Sequence, residues 1–285
     1  MQTVKLNNGL EMPILGYGVY LVEPKECERC VTDALKVGYR MIDTAQAYYN
    51  EEGVGSAWTK SGIKREDLFL VSKIWVTNAG EQKANDSILK SLDKLQTDYL
   101  DLMLIHQCYN DYYGTWRAME RAYKEGKLKA IGLSNFMPDR YVDIASWFEI
   151  KPMVMQLETH VFFQQQEERK WLDKYGAQIM SWGPLAHGID QIFNNETLVV
   201  LSKKYNKTAA QIALRFLTQE NVIVIPKSTH KERMAENFNI FDFEITEDDM
   251  RKIRALDTGK SDIVDFRSAE MSEFFVNYTK EHGEV

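Results

Sequence analysis

The sequence predicts an α/β fold, a closed (β/α)8 TIM barrel with an N-terminal β-hairpin and an extra helix and tail at the C-terminus. Three observations support this prediction. Short apolar runs alternate with segments of helical periodicity. The apolar runs lack polar alternation, as expected of strands buried on both faces. Eight strand–helix units follow one another without a repeat or a linker, so residues 1–285 are interpreted as one barrel domain. An open, doubly wound sheet is the structural alternative.

The predicted elements can be placed in chain order. Near the N-terminus, Asn8-Gly9 lies between two short apolar segments and is typical of a hairpin turn. The eight barrel strands are predicted at Leu15–Tyr20, Tyr39–Ile42, Leu68–Lys73, Leu100–Ile105, Lys129–Leu133, Met153–Leu157, Gln178–Ser181 and Val222–Ile225. Thr208 and Gln211 form the pattern of a capping box, which predicts a helix directly after them.

The C-terminal part is predicted to add elements beyond the barrel. Helices are expected around Arg233 to Asn237 and near Glu247 to Leu256. The tail from Gly259 to Val285 carries aromatic residues among charged ones. We expect it to dock in part over the mouth of the barrel, and the alternative is an ordinary surface loop and helix.

Composition and charge exclude several classes of function. The net charge of −7 argues against a nucleic-acid partner. No apolar stretch is long enough to cross a bilayer, and the N-terminus lacks the pattern of a signal peptide, so no membrane partner is expected. Three cysteines form no disulfide framework and suit a reducing, cytoplasmic location. The histidines do not cluster with carboxylates, so no metal site is predicted.

Four side chains that exchange protons stand at the C-terminal ends of three predicted strands: Asp43, Tyr48, Lys73 and His106. In a barrel these ends meet at the face where chemistry takes place. Tyr48 can donate the proton that a carbonyl needs once it has accepted a hydride. The ammonium of Lys73, held by Asp43, is expected to lower the pKa of this phenol. His106 is expected to orient the substrate oxygen. Each residue alone has an ordinary structural explanation, and their joint placement favours a catalytic site.

The sequence resembles the aldo-keto reductase superfamily. The segments that carry the resemblance are Asp43 to Glu51 with Val54-Gly55, Ser72 to Trp75, Leu104 to His106, Gly132 to Phe136 and Ile225 to Ser228. They cover nearly the whole chain in the order of the family. The resemblance is strongest to bacterial reductases with short C-terminal tails, of the diketogluconate and methylglyoxal type. It implies that the four residues act as described above, with Tyr48 as the acid.

The strand ends further along the chain are predicted to hold a nicotinamide. Ser134, Asn135 and Gln156 can hydrogen-bond a carboxamide, and Trp182 can stack on the ring. The resemblance implies that these four residues contact the nicotinamide, although core packing alone would be the usual explanation of Trp182. Cofactor binding is also assigned to the start of the loop after this strand, at Gly183, Pro184 and Leu185. The loop, which includes His187, is expected to close over the cofactor.

Basic and hydroxyl side chains after the last strand form a predicted phosphate site. Lys227, Ser228 and Arg233 lie at the start of a helix, where anions bind favourably. The resemblance implies that the lysine and the arginine bind the 2′-phosphate of NADPH, and that Glu236 and Asn237 contact the adenine. NADPH is therefore the predicted cofactor. A solvated basic turn is the alternative.

The substrate pocket is predicted beside the four proton-exchanging residues. Tyr20 and Trp75 follow the first and third strands and are expected to wall it, with Gln107 next to His106. Cys108 is expected near the mouth of the barrel, in a mobile loop and open to oxidation.

Two further motifs receive structural interpretations. Cys27 and Cys30 have the Cys-x-x-Cys spacing but fall within a predicted helix, Pro24 to Val37, so they are interpreted as structural. His160 is interpreted as an ordered structural histidine.

The predicted function is NADPH-dependent reduction of small aldehydes, dicarbonyls or sugar-derived ketones by a monomer. The main alternative is a binding module that senses NADPH with little turnover, and the intact set of four proton-exchanging residues argues against it. A cofactor-independent isomerase or synthase on the same barrel is a third possibility, which the predicted cofactor residues disfavour. The physiological substrate does not follow from these residues, because many reductases would share them.

Overall fold

Ten strands are present in the computed structural model, which describes residues 2–186, 190–261 and 263–282. Strands β1 (Thr3–Lys5) and β2 (Glu11–Pro13) form an antiparallel hairpin. The remaining strands are β3 (Tyr17–Gly18), β4 (Met41–Asp43), β5 (Phe69–Ile74), β6 (Leu102–Ile105), β7 (Ile131–Ser134), β8 (Val154–Glu158), β9 (Gln178–Trp182) and β10 (Ile223–Val224). They form one parallel sheet in the order β3 to β10. The predicted hairpin and the eight predicted strands are confirmed.

Hydrogen bonds between β10 and the segment before β3 close this sheet into a barrel. The N–H of Gly16 donates to the carbonyl of Val224 at 2.9 Å, and the N–H of Val224 donates to the carbonyl of Ile14 at 2.9 Å. At the same seam, a Cβ on Gly18 would lie 2.8 Å from the carbonyl oxygen of Ile225, so only glycine permits this approach. The predicted (β/α)8 barrel is confirmed, and the open sheet is wrong.

The two strands at the seam are shorter than predicted. The predicted strands Leu15–Tyr20 and Val222–Ile225 are reduced to two residues each, Tyr17–Gly18 and Ile223–Val224. Directly after β3, the N–H of Val22 donates to the carbonyl of Val19 at 3.1 Å, which turns the chain away from the sheet. Apolar runs indicate burial but not where the chain turns, so the sequence did not predict the ends of β3 and β10.

Helices fill the connections between the strands. They are α1 (Pro24–Val37), α2 (Glu51–Lys60), α3 (Glu81–Lys94), α4 (Tyr112–Lys124), α5 (Pro138–Trp147), α6 (Gln166–Tyr175), α7 (Asp190–Asn194), α8 (Glu196–Tyr205), α9 (Ala209–Gln219), α10 (Lys231–Phe238), α11 (Glu247–Arg254) and α12 (Ala269–His282). The capping box of Thr208 and Gln211 is formed at the start of α9, as predicted. Within the described ranges, no helix combines the length and hydropathy that a membrane span requires.

Helix α12 and the segment before it dock beside the barrel mouth, which confirms the expectation for the tail. The ring of Phe275 stacks on Tyr109 with centroids 4.9 Å apart and contacts Trp75 edge-on at 5.8 Å. The hydroxyl of Tyr109 donates to the carbonyl of Phe266 at 3.2 Å. The start of the tail is also fixed, because the hydroxyl of Ser261 donates to the carboxylate of Glu158 at the end of β8, at 2.5 Å.

Candidate active site

The four predicted proton-exchanging side chains meet at the C-terminal end of the barrel. Lys73 is fully buried, and its Nζ donates to Oδ1 of Asp43 at 2.6 Å and to the carbonyl of Thr44 at 2.8 Å. Nζ also lies 3.4 Å from the hydroxyl of Tyr48. An ion pair this deeply buried is held in one geometry by its hydrogen bonds. It lies directly behind the phenol.

Tyr48 is held in a short 3-10 turn, Gln46–Tyr48, that follows β4. The turn ends at Tyr49, whose φ of +55° is in the left-handed region. The ring of Tyr48 contacts the ring of His106, with centroids 5.5 Å apart and planes at 79°, and the ring of Tyr20 at 5.1 Å. Tyr48 therefore stands between the ion pair and the open cavity.

His106 follows β6 directly and lies between two aromatic rings. Its backbone N–H donates to the carbonyl of Ile74 at 3.0 Å. Its ring contacts the rings of Tyr48 and of Trp75, the latter with centroids 5.0 Å apart. Among the described residues, its buried Nδ1 has no hydrogen-bond partner. Burial and, secondarily, the charge of Lys73 hold the pKa of His106 well below its usual value of 6.5. The imidazole is therefore neutral at neutral pH.

The phenol of Tyr48 keeps its proton at neutral pH. Burial, together with the negative charge of Asp43 and the nearby Tyr20, raises the pKa of Tyr48 well above 10. The predicted net lowering of this pKa is therefore wrong. Burial dominates, and Asp43 opposes the ammonium at a distance of only 2.6 Å. Burial also lowers the pKa of Lys73, against the opposing effects of Asp43 and Glu51.

A buried network behind the site was missed by sequence reasoning. Gln46, two residues before Tyr48, accepts hydrogen bonds at Oε1 from the N–H of Trp75 at 3.0 Å and from Asn78 at 2.9 Å. Its Nε2 donates to the hydroxyl of Ser91 at 3.1 Å. The side chain thus ties the turn that carries Tyr48 to the chain at Trp75. A glutamine between apolar residues was the only signal in the sequence.

The predicted nicotinamide residues lie side by side at the ends of β7, β8 and β9. Asn135 has a φ of +61°, a conformation that asparagine adopts more readily than most residues. Its Nδ2 donates to the hydroxyl of Ser134 at 3.1 Å, and its Oδ1 accepts from the indole N–H of Trp182 at 2.8 Å. Nε2 of Gln156 donates to Oδ2 of Asp43 at 3.0 Å. This bond links the nicotinamide residues to the ion pair, and residue spacing did not predict it.

One large cavity joins these groups to the predicted phosphate residues. Its volume is about 1150 Å³, slightly above the usual size of small-molecule sites. The predicted residues that line it are Tyr20, Asp43, Tyr48, Trp75, His106, Gln107, Ser134, Asn135, Gln156, Trp182, Gly183, Pro184, Leu185, Lys227, Ser228, Arg233, Glu236 and Asn237. Lys73 is the exception, because it lies behind the wall.

The tail contributes aromatic side chains to the same cavity. Phe266, Phe274, Phe275 and Tyr278 line it together with Trp75. Their aromatic character indicated docking over the mouth, but not which of them would face the cavity. The predicted loop residue His187 lies outside the described residues.

The cysteines and the remaining predicted histidine are buried away from the cavity. Cys108 is only 1% exposed, and Arg140 donates to its carbonyl at 2.5 Å and to its Sγ at 2.9 Å. The expectation of an accessible thiol in a mobile loop is therefore wrong, because this arginine holds the loop. Cys27 and Cys30 are buried within α1, and burial raises the pKa of Cys27 to about 12.

His160 has a structural environment, as predicted. Its Nε2 lies 3.0 Å from the carboxylate of Glu158, and its Nδ1 accepts from the N–H of Phe162 at 3.3 Å. Within the described part of the chain, no group of three or more His, Cys, Asp or Glu side chains is arranged to hold a metal ion.

Comparisons with known proteins give consistent results. A sequence model described as "Aldo/keto reductase family" matches residues 15–258. A glyoxal reductase of Bacillus subtilis is 47% identical over 89% of this chain and 92% of its own length. The methylglyoxal reductase DkgA of Escherichia coli is 39% identical, over 90% of this chain and 94% of its own. The crystal structure of a Bombyx mori aldo-keto reductase in complex with NADP superimposes with a TM-score of 0.86 at 29% identity, covering 93% of this chain and 95% of that one.

Proposed function

The chain belongs to the aldo/keto reductase family and is an oxidoreductase, and we propose that it reduces small aldehydes, ketones and dicarbonyls with NADPH. The observation that carries the proposal is the buried Lys73–Asp43 pair behind a protonated Tyr48 that faces the cavity. A phenol supported in this way is suited to give a proton to an oxygen that becomes negatively charged.

The residues present fit a nicotinamide dinucleotide. Amide and hydroxyl groups of Ser134, Asn135 and Gln156 line one part of the cavity, and Lys227 and Arg233 line another. This separation matches a ligand with a carboxamide on one ring and phosphates further away. When bound, NADPH supplies the hydride. The basic pair after β10 is the proposed basis of a preference for NADPH over NADH.

Tyr48 is the proposed acid, and Lys73 and Asp43 support it. In the ligand-free protein the phenol keeps its proton, as a donor must. When the substrate oxygen gains negative charge, the proton moves from Tyr48 to that oxygen. The resulting phenolate is then stabilised by the ammonium of Lys73, 3.4 Å away. Asp43 keeps this ammonium charged and in place.

Neutral His106 is proposed to orient the substrate. Its ring faces the cavity beside Tyr48, and its low pKa keeps it uncharged. A neutral imidazole N–H can hydrogen-bond the carbonyl oxygen without competing with Tyr48 as the proton donor. His106 and Tyr48 would thus hold the same oxygen from two sides.

The proposed substrates are small because aromatic rings surround the space beside Tyr48. Tyr20, Trp75 and Phe275 line this part of the cavity, with Gln107 as a polar group. The names of the two bacterial relatives favour glyoxal and methylglyoxal as first candidates. We propose a monomer as the active form, as the resemblance to this family implies.

The test is NADPH consumption by the wild-type protein and by Tyr48→Phe, with glyoxal, methylglyoxal, aromatic aldehydes and sugars as substrates. We expect the variant to lose about 10²- to 10⁴-fold in kcat, the usual contribution of a positioned acid, while its Kd for NADPH stays within about twofold. Tyr141→Phe is the control, because the buried Tyr141 hydroxyl has no partner among the described residues. Full turnover by Tyr48→Phe would refute the assignment. Tight NADPH binding with no reduction of any carbonyl would favour a sensor.

A further inference from the structure

Two buried phenols lie beneath the proposed phosphate site, on the side away from the cavity. Tyr17, in β3, is 1% exposed, and its hydroxyl donates to the carbonyl of Ser228 at 2.5 Å. Tyr39 is fully buried, and its hydroxyl donates to the carbonyl of Met234 at 3.1 Å. The two rings contact each other with centroids 5.7 Å apart. Each phenol therefore joins the first part of the barrel to a segment about two hundred residues later in the chain.

Each of the two carbonyls belongs to the residue that directly follows a proposed phosphate ligand. Lys227 is exposed, and the next residue, Ser228, is buried. Arg233 is exposed, and the next residue, Met234, is buried. In both cases the basic side chain lies on the cavity side, and the carbonyl of the following residue is held from behind by a tyrosine.

The same segment has further internal support. The hydroxyl of Ser228 accepts from the N–H of His230 at 3.1 Å, which shapes the turn before α10. The ring of Phe238, at the end of α10, packs edge-on against Tyr39 with centroids 4.9 Å apart. Backbone positions held at two points lose little further freedom when a ligand binds, so more of the contact energy appears as affinity.

We propose that Tyr17 and Tyr39 are positioning residues for the 2′-phosphate, which hold the backbone of Lys227 and Arg233 in the geometry that selects NADPH over NADH. This inference rests on the proposed function for the identity of the ligand. Neither tyrosine lines the cavity, so neither contacts the cofactor. Their effect passes through the two carbonyls.

The variants Tyr17→Phe and Tyr39→Phe test the proposal, because each keeps the ring and removes only the hydroxyl. Tyr141→Phe is again the matched control, since Tyr141 is equally buried and its hydroxyl has no partner in the described part of the chain. The Kd values for NADPH and NADH are measured by quenching of tryptophan fluorescence. We expect Tyr17→Phe to raise the Kd for NADPH about fivefold or more and that for NADH less than about twofold, the size that loss of one hydrogen bond allows. A merely structural role would change both affinities together or neither.

Hydrogen–deuterium exchange of the ligand-free protein gives a second readout. We expect the amides of residues 228–236 to exchange about fivefold faster or more in Tyr17→Phe and Tyr39→Phe than in the wild type, and to be unchanged in Tyr141→Phe. An unchanged NADPH-to-NADH ratio overturns the inference, whatever happens to the exchange at 228–236 and whatever the enzyme reduces. A wild type that binds the two cofactors equally would instead refute the proposed cofactor preference, and exchange at 228–236 would still decide whether the phenols hold this segment.

Discussion

Replacing Lys73 with methionine removes the charge behind the proposed acid while nearly keeping the volume of the side chain. Because Lys73 is fully buried, bulk water does not take the place of the ammonium in the variant. Asp43 keeps one hydrogen bond, from Gln156 at 3.0 Å. The substitution therefore tests how strongly the ammonium stabilises the phenolate that forms when Tyr48 gives up its proton.

The expected loss follows from one distance. Nζ of Lys73 lies 3.4 Å from the hydroxyl of Tyr48. With an effective dielectric constant of about 20, the attraction to a phenolate is 332/(20 × 3.4), or about 5 kcal/mol. Asp43, 2.6 Å from the same ammonium, repels the phenolate and offsets part of this attraction. If this repulsion offsets about a fifth to a half of the attraction, the remainder of about 2.7 to 4 kcal/mol corresponds to a loss of about 10²- to 10³-fold in kcat.

The assay is the decay of NADPH absorbance in a single turnover, with circular dichroism as a check that the variant is folded at the assay temperature. Asp43→Asn is the partner variant, because it removes the anion and leaves an oxygen for Lys73 to bond. We expect it to lose less activity than Lys73→Met, since the bond to the Thr44 carbonyl still holds the Lys73 amine behind the phenol. If Lys73→Met keeps kcat within about threefold of the wild type, the reasoning fails, because the charge then contributes at most about 0.65 kcal/mol.

Three further predictions follow from other contacts. Gln46→Ala removes the acceptor of the N–H of Trp75 and one acceptor of the Asn78 amide, so we expect the free energy of unfolding to fall by about 1–3 kcal/mol and KM to rise. An unchanged midpoint in urea would contradict this. Iodoacetamide should leave the activity of the native protein intact, because Cys27, Cys30 and Cys108 are buried and their thiol pKa values are raised. Rapid labelling of any of these thiols, detected by mass spectrometry, would contradict this. The pKa of His106 is lowered below 6.5 in the folded protein, so at lower pH the unfolded chain binds a proton that the folded protein does not. The free energy of unfolding should therefore decrease as the pH falls below 6.5. In urea titrations over the same pH range, the free energy of unfolding of His106→Gln should decrease less.

The sequence was sufficient to predict features that each depend on a local pattern. The hairpin at Asn8-Gly9, the capping box at Thr208 and the alternation of strands and helices are all set by neighbouring residues. The meeting of Asp43, Tyr48, Lys73 and His106 follows once the strands are known to be parallel, since their ends share one face.

Features that depend on contacts between distant residues were not accessible in the same way. The bond from Gln156 to Asp43 joins residues 113 positions apart, and the bond from Tyr17 to Ser228 joins residues 211 apart. The pKa of Tyr48 was predicted in the wrong direction because the degree of burial is a property of the whole fold. The thiol of Cys108 was expected to be accessible because nothing near it in the chain indicates that Arg140, on α5, covers it.

The two-residue strands β3 and β10 have a consequence for synthesis of the chain on the ribosome. The seam pairs Leu15 with Val224, so the N-terminal edge of the sheet stays unpaired until most of the chain has been synthesised. An unpaired edge during this interval is a template for pairing with another nascent chain. Because the seam bonds of this edge fall within Ile14 to Gly18, the barrel exposes only a short edge until its last strand emerges.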